Sequence, residues 1–202
     1  MTLEECKHAT TLLAFAEEMA EVHHTAEEAF FAALNRAIWQ TDGVRPRTAS
    51  ILLHHTAPFL EAQEVTPDGY AKYDLGGLAS DFMLMTQPPL QLTQKGHIFL
   101  RGGYFLENGR ALYLPLEREG CYRITYRVAP PTVTAETPLD ATLAMDEELC
   151  QMLPLLAAHY LLLDEEPEKA QQYLTLYREQ YALVRANNVT AQGADYLTTN
   201  NW

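Results

Sequence analysis

The chain has 202 residues, 48% of them apolar and 20% charged, with a formal net charge of −13. This length supports one sizeable core without metal or disulfide staples, and the composition is that of an ordinary globular protein, neither disordered nor fibrous. So acidic a balance excludes wrapping of nucleic acid, which needs a basic footprint. It fits either plain solubility or a surface past which DNA slides without sticking.

Apolar positions at Leu3, Cys6, Leu12, Leu13, Ala16 and Met19 follow the helical period and predict a helix over 3–20. Thr25 opens a second helix, with Glu28 at capping-box spacing. Phe30, Ala33, Leu34, Ala37 and Ile38 form its buried stripe, and Gly43 is expected to close it in the left-handed cap.

From Val44 the pattern changes to short segments broken by prolines and glycines. Ile51–Leu53 and Tyr70–Leu75 read as short strands, and Asn108-Gly109 as a two-residue hairpin turn between Tyr104–Leu106 and Ala111–Leu114. The clearest strand is Cys121–Val128. Tyr122, Ile124, Tyr126 and Val128 share its buried face, while Arg123, Thr125 and Arg127 share a wet or partner-facing one.

Residues 129–145 read as a polar linker, and Asp146-Glu147-Glu148 starts a helix that runs to Leu163 across Pro154. Pro167 takes the first position of the next helix, whose stripe is Ala170, Tyr173, Tyr177, Tyr181 and Val184. Asn187-Asn188 is expected to end it. The short turn between these helices makes them antiparallel.

The predicted class is α+β. A helical bundle is expected from residues 1–43 and a C-terminal hairpin within 136–187, with an antiparallel β subdomain inserted at 44–135 and an extended arm at 188–202. The core should include Phe30, Leu34, Ile38, Leu155, Leu156, Leu162, Tyr173, Tyr177 and Tyr181. In the arm, Asp195, Tyr196, Leu197 and Trp202 are the candidate partner-binding residues, because a segment without period needs a partner to order it and a terminal tryptophan suits a neighbour's pocket.

Charge is uneven along the chain. Residues 1–40 carry seven acidic and two basic side chains and 146–187 carry eight and three, whereas 44–135 carry eight and nine. Cys6, Cys121 and Cys150 lie far apart without CxxC spacing, which fits a reducing cytosol. The acidic start Met1-Thr2-Leu3-Glu4-Glu5 is unlike a signal peptide, and the run Leu153–Leu163 is too short to cross a bilayer. The expectation is a soluble, cytosolic chain.

No motif for chemistry stands out. His23-His24 and His54-His55 read as surface histidines rather than metal ligands, since adjacent side chains point apart and no partner sits at ligand spacing. Gly76-Gly77 and Gly102-Gly103 lack a phosphate-loop pattern and read as turns. Glu147-Glu148 and Asp164-Glu165-Glu166 read as helix-start and solvating acids. The eleven tyrosines serve either core or interface. The chain is therefore expected to be no enzyme and to take no cofactor.

Several segments, in order, resemble neck proteins of tailed bacteriophages. They are Tyr73-Asp74-Leu75, Ser80–Leu84, Gly109–Pro115, Gly120–Arg127 with Ala129-Pro130-Pro131, Leu153–Ala158, Tyr160–Ala170, Tyr173 and Leu176-Tyr177. Val44–Gln63 departs from the pattern. The resemblance implies a non-enzymatic head–tail connector in a phage or prophage virion, assembled in the bacterial host's cytoplasm. It implies a ring of this chain, a dodecamer, that binds the portal and the tail proteins and lets DNA pass without sequence-specific binding or membrane contact. The alternatives are another virion component, such as a tail-tube or tail-completion protein, or a small helical protein-binding module.

Overall fold

The structure is a computed structural model that describes the backbone of residues 1–15, 24–94, 96–100 and 102–198 and, within these, side chains outside 24–26 and 188–198. Its described elements run α1 (Leu3–Phe15), α2 (His24–Asp42), β1 (Thr48–His55), β2 (Glu64–Val65), β3 (Tyr70–Asp74), α3 (Leu75–Leu78) and β4 (Phe82–Met85). Then follow β5 (Leu90–Thr93), β6 (Gly96–Phe99), β7 (Phe105–Glu107), β8 (Ala111–Pro115), β9 (Gly120–Val128), α4 (Glu147–Leu162) and α5 (Pro167–Thr198). The class is α+β, with antiparallel strand pairing in two sheets among the described residues. The chain divides into two compact units, Met1–Arg45 with Pro130–Trp202, and Pro46–Ala129.

In the first unit α4 packs against α1, α2 and α5. Its sequence explains this: Leu149, Cys150, Met152, Leu153, Leu156, Ala157 and Leu162 are buried around most of its circumference, and a helix apolar nearly all round must be covered nearly all round. Asp146 caps it, accepting from the Glu148 N–H at 3.0 Å, and Arg45 bridges Asp146 and Glu148 at 3.0 and 2.8 Å. Leu3 and Cys6 from α1, and Phe30, Phe31, Leu34, Ala37 and Ile38 from α2, complete one core with Tyr177 of α5. Of the expected core, Leu155, Tyr173 and Tyr181 are half-buried, and Leu162 packs in a smaller cluster with Ala14, Ala158 and Ala170.

Four local expectations are corrected. Thr25 lies inside α2, which begins at His24. Gly43 does not adopt a left-handed φ; the turn closes instead by a Val44 N–H to Thr41 carbonyl bond of 3.2 Å. Residues 130–135 belong with the helical unit, because Val133 is buried in its core and both exchanges with Asn35 (2.8 and 2.9 Å) hold it there. The backbone of 188–198 is helical, not an extended arm: two asparagines cost a helix only a few tenths of a kcal/mol each and do not stop it. Ala16 and Met19 lie outside the described residues.

The second unit pairs its strands in a five-stranded sheet, β1-β9-β5-β6 with β4 also on β9, and a four-stranded sheet, β2-β3-β8-β7. β9 alternates as its sequence demands, with Tyr122, Ile124, Tyr126 and Val128 buried. Leu53, Tyr122 and Ile124 of the first sheet share a core with Ala71, Tyr73, Leu112 and Leu114 of the second. The Asn108-Gly109 turn is one residue longer than expected. Glu107 pairs with Ala111, both central residues have left-handed φ (52° and 69°), and Arg110 follows with its N–H on the Glu107 carbonyl at 3.1 Å.

Candidate functional site

β9 is the axis of the only candidate site that the described residues build. Its buried alternation forces Cys121, Arg123, Thr125 and Arg127 onto the opposite face, and directly paired residues on neighbouring strands share that face. Register then sets two rows across four strands. Leu52 pairs with Arg123, Arg123 with Leu90 and Leu90 with Phe99. Beside them His54 pairs with Cys121, Cys121 with Leu92 and Leu92 with His97.

The first row has the composition of an interaction surface. Leu52 is 55% exposed and Phe99 48%, Leu90 is half-buried, and the half-buried Arg123 between them forms no ion pair among the described residues. Every residue of the edge strand β6 is exposed, and Ile98, 55% exposed, pairs with Gln91 and so lies on the other face of the sheet. Neither row contains a carboxylate. Glu61 reaches the β1 edge, where it accepts from the His54 N–H at 2.9 Å. Apolar side chains around an arginine are the composition of a protein–protein contact centre, and an uncovered edge strand is an open template for contact.

Of the remaining sequence candidates, His23 and the side chain of His24 lie outside the described residues. His54 is exposed, but His55 is buried, which corrects the expectation of a surface pair. Its Nε2 lies 2.9 Å from the Pro115 carbonyl, which can only accept, so Nε2 carries the hydrogen. Nδ1 therefore accepts from the Tyr73 hydroxyl at 2.7 Å. This chain of bonds ties β1 of one sheet to β3 and β8 of the other. Burial holds the His55 pKa below its ordinary value, opposed in part by the Pro115 carbonyl and Glu119, and burial pushes the Tyr73 phenol up to about 12.

Asp74 caps the short α3, accepting from the Gly76 N–H and from Arg110 Nε at 3.1 Å each, so Gly76-Gly77 lies inside a one-turn helix and not in the expected turn. Gly103 takes a left-handed φ of 76°, and the Gly102 carbonyl accepts from Arg118 at 2.8 Å. Asp164, Glu165 and Glu166 lie exposed in the turn between α4 and α5. Of the tyrosines, Tyr73, Tyr113, Tyr122, Tyr126 and Tyr177 are buried. Among the described residues no group of three His, Cys, Asp or Glu side chains is placed to hold a metal ion, and no helix is long and apolar enough to cross a membrane.

Asp195, Tyr196 and Leu197 lie on the helical backbone of α5 with their side chains outside the described residues, and Trp202 lies outside them altogether. Sequence reasoning placed Arg123 on the outward face but missed Leu52, Leu90 and Phe99. The Leu-Gln-Leu alternation of 90–92 was the available signal.

No protein-family model matches the chain, and no curated protein matches it either.

Proposed function

We infer that the chain is a virion structural subunit, a head–tail connector of a tailed bacteriophage or prophage. In this reading the helices form a bundle interrupted by the β subdomain, and copies of the chain form a ring between portal and tail proteins. DNA passes through that ring without sequence-specific binding. The C-terminal end, with Asp195, Tyr196, Leu197 and Trp202, contacts the portal.

The carrying observation is the outward-facing Leu52–Arg123–Leu90–Phe99 row. A contact surface is the functional feature that the described residues supply. The order and spacing of the neck-like segments agree with an assembly role, and the acidic helical unit suits a surface that repels DNA.

Electron microscopy of the protein mixed with the portal of the same phage tests the reading. Added ring density on the portal is expected, and an unchanged portal contradicts it. Removal of residues 189–202 is expected to leave the fold intact and abolish this co-assembly.

A further inference from the structure

The two units divide the charge completely. The helical unit carries nineteen acidic and six basic residues, and the β unit carries eight of each, so the whole net charge of −13 sits on the helical unit. The neutral unit bears the apolar row centred on Arg123. The acidic unit bears, between α4 and α5, the turn Leu163-Asp164-Glu165-Glu166, all exposed, with Leu163 at 45%. This turn offers what the sheet face lacks: carboxylates beside one protruding leucine.

We propose that the sheet face of one copy docks on the α4–α5 turn of a second copy of this chain, with Arg123 meeting the carboxylates and Leu163 resting on Leu52, Leu90 and Phe99. The assignment rests on the reading of the chain as a ring-forming subunit and specifies the contact. Because the two surfaces differ, the contact is heterologous, and each copy that uses its face still presents a free turn. Such a contact propagates from copy to copy and closes when the rotation permits. A second copy is favoured over an unrelated partner because complementary charge is present in the same chain and in equal numbers by necessity.

Strands about 4.8 Å apart make four strands roughly 14 Å wide, so the face is small. It falls at the low end of specific interfaces, for which weak association is the rule. Like-charge contact costs several kcal/mol, so charge reversal is the sensitive probe, and salt should weaken the contact by screening its exposed charges.

Sedimentation equilibrium of the full chain at low salt, over a wide concentration range, tests the proposal. The wild type is expected to gain mass with concentration and to lose that gain as salt is raised. Arg123→Glu alone and Glu165→Lys alone should each weaken association about tenfold or more. An equal mixture of the two variants should recover it, because each mixed contact again joins opposite charges. That recovery also shows that neither variant has simply failed to fold.

A wild type that stays monomeric at its highest soluble concentration would overturn the proposal. So would loss by Arg123→Glu without loss by Glu165→Lys, the pattern of a face-to-face dimer. A monomeric chain that still adds a ring to the portal would overturn this contact and leave the connector reading standing. Association through these surfaces without portal binding would do the reverse.

Discussion

The helical unit and the β unit solve opposite problems. The helical unit buries aliphatic side chains around α4 and keeps most of its surplus acid outside, Asp42 being buried. The β unit has no net charge, buries the polar His55–Tyr73–Pro115 bridge between its sheets, and leaves leucine and phenylalanine on its outer face. Burial therefore does not track function here. The polar groups inside the β unit hold sheets together, and the apolar groups outside it are the ones free to meet a partner.

The largest effect expected is in the helical core. Leu34→Ala or Leu156→Ala removes a fully buried side chain and should cost about 2–5 kcal/mol, read by denaturant unfolding. A cost near zero would mean that α4 is not the centre of its unit.

The buried bridge comes next. Tyr73→Phe leaves Nδ1 of His55 without its donor and should cost about 1–3 kcal/mol. The same bridge makes stability depend on pH. An unfolded histidine takes up a proton as pH falls through about 6.5, whereas the folded His55, with its pKa lowered by burial, stays neutral to lower pH. The unfolded state then binds more protons, so this contribution is full above that ordinary value and is lost as pH falls through the folded one. Stability of His55→Asn measured against pH should lack that part of the wild-type slope, and an unchanged slope would remove His55 from the explanation.

A smaller loss, about 0.5–2 kcal/mol, is expected from Asp146→Ala, which removes the α4 cap and one of the two Arg45 bridges. Smallest of all should be Phe99→Ser. Exposed positions away from special features change stability by about 0.5 kcal/mol or less, so this variant should fold like the wild type and still lose self-association. A strongly destabilised Phe99→Ser would make the outer row part of the fold rather than a contact.

Much of the fold was legible where period is local. The alternation of β9 and the stripe Phe30–Ile38 lie within single elements, as do the Asp146 and Pro167 helix starts. What stayed hidden was long-range. The partners of His55 lie 18 and 60 residues away, so its burial could not be read from its neighbours. The row across the sheet likewise joins strands far apart in sequence, β1 at 48–55 with β5 at 90–93 and β9 at 120–128, and only register brings Leu52, Arg123, Leu90 and Phe99 together. The end of α5 was misread for another reason: asparagine and Gly193 are weak helix formers, but their cost is small against a helix already nucleated.

Hydrogen exchange on the unmodified chain, at low and at high protein concentration, addresses the contact between the two kinds of surface most directly. Protection that rises with concentration in both 90–99 and 163–168, and not across the buried core, is the expected result. Protection of neither segment, or of one without the other, would contradict a face that takes the acidic turn of the next copy.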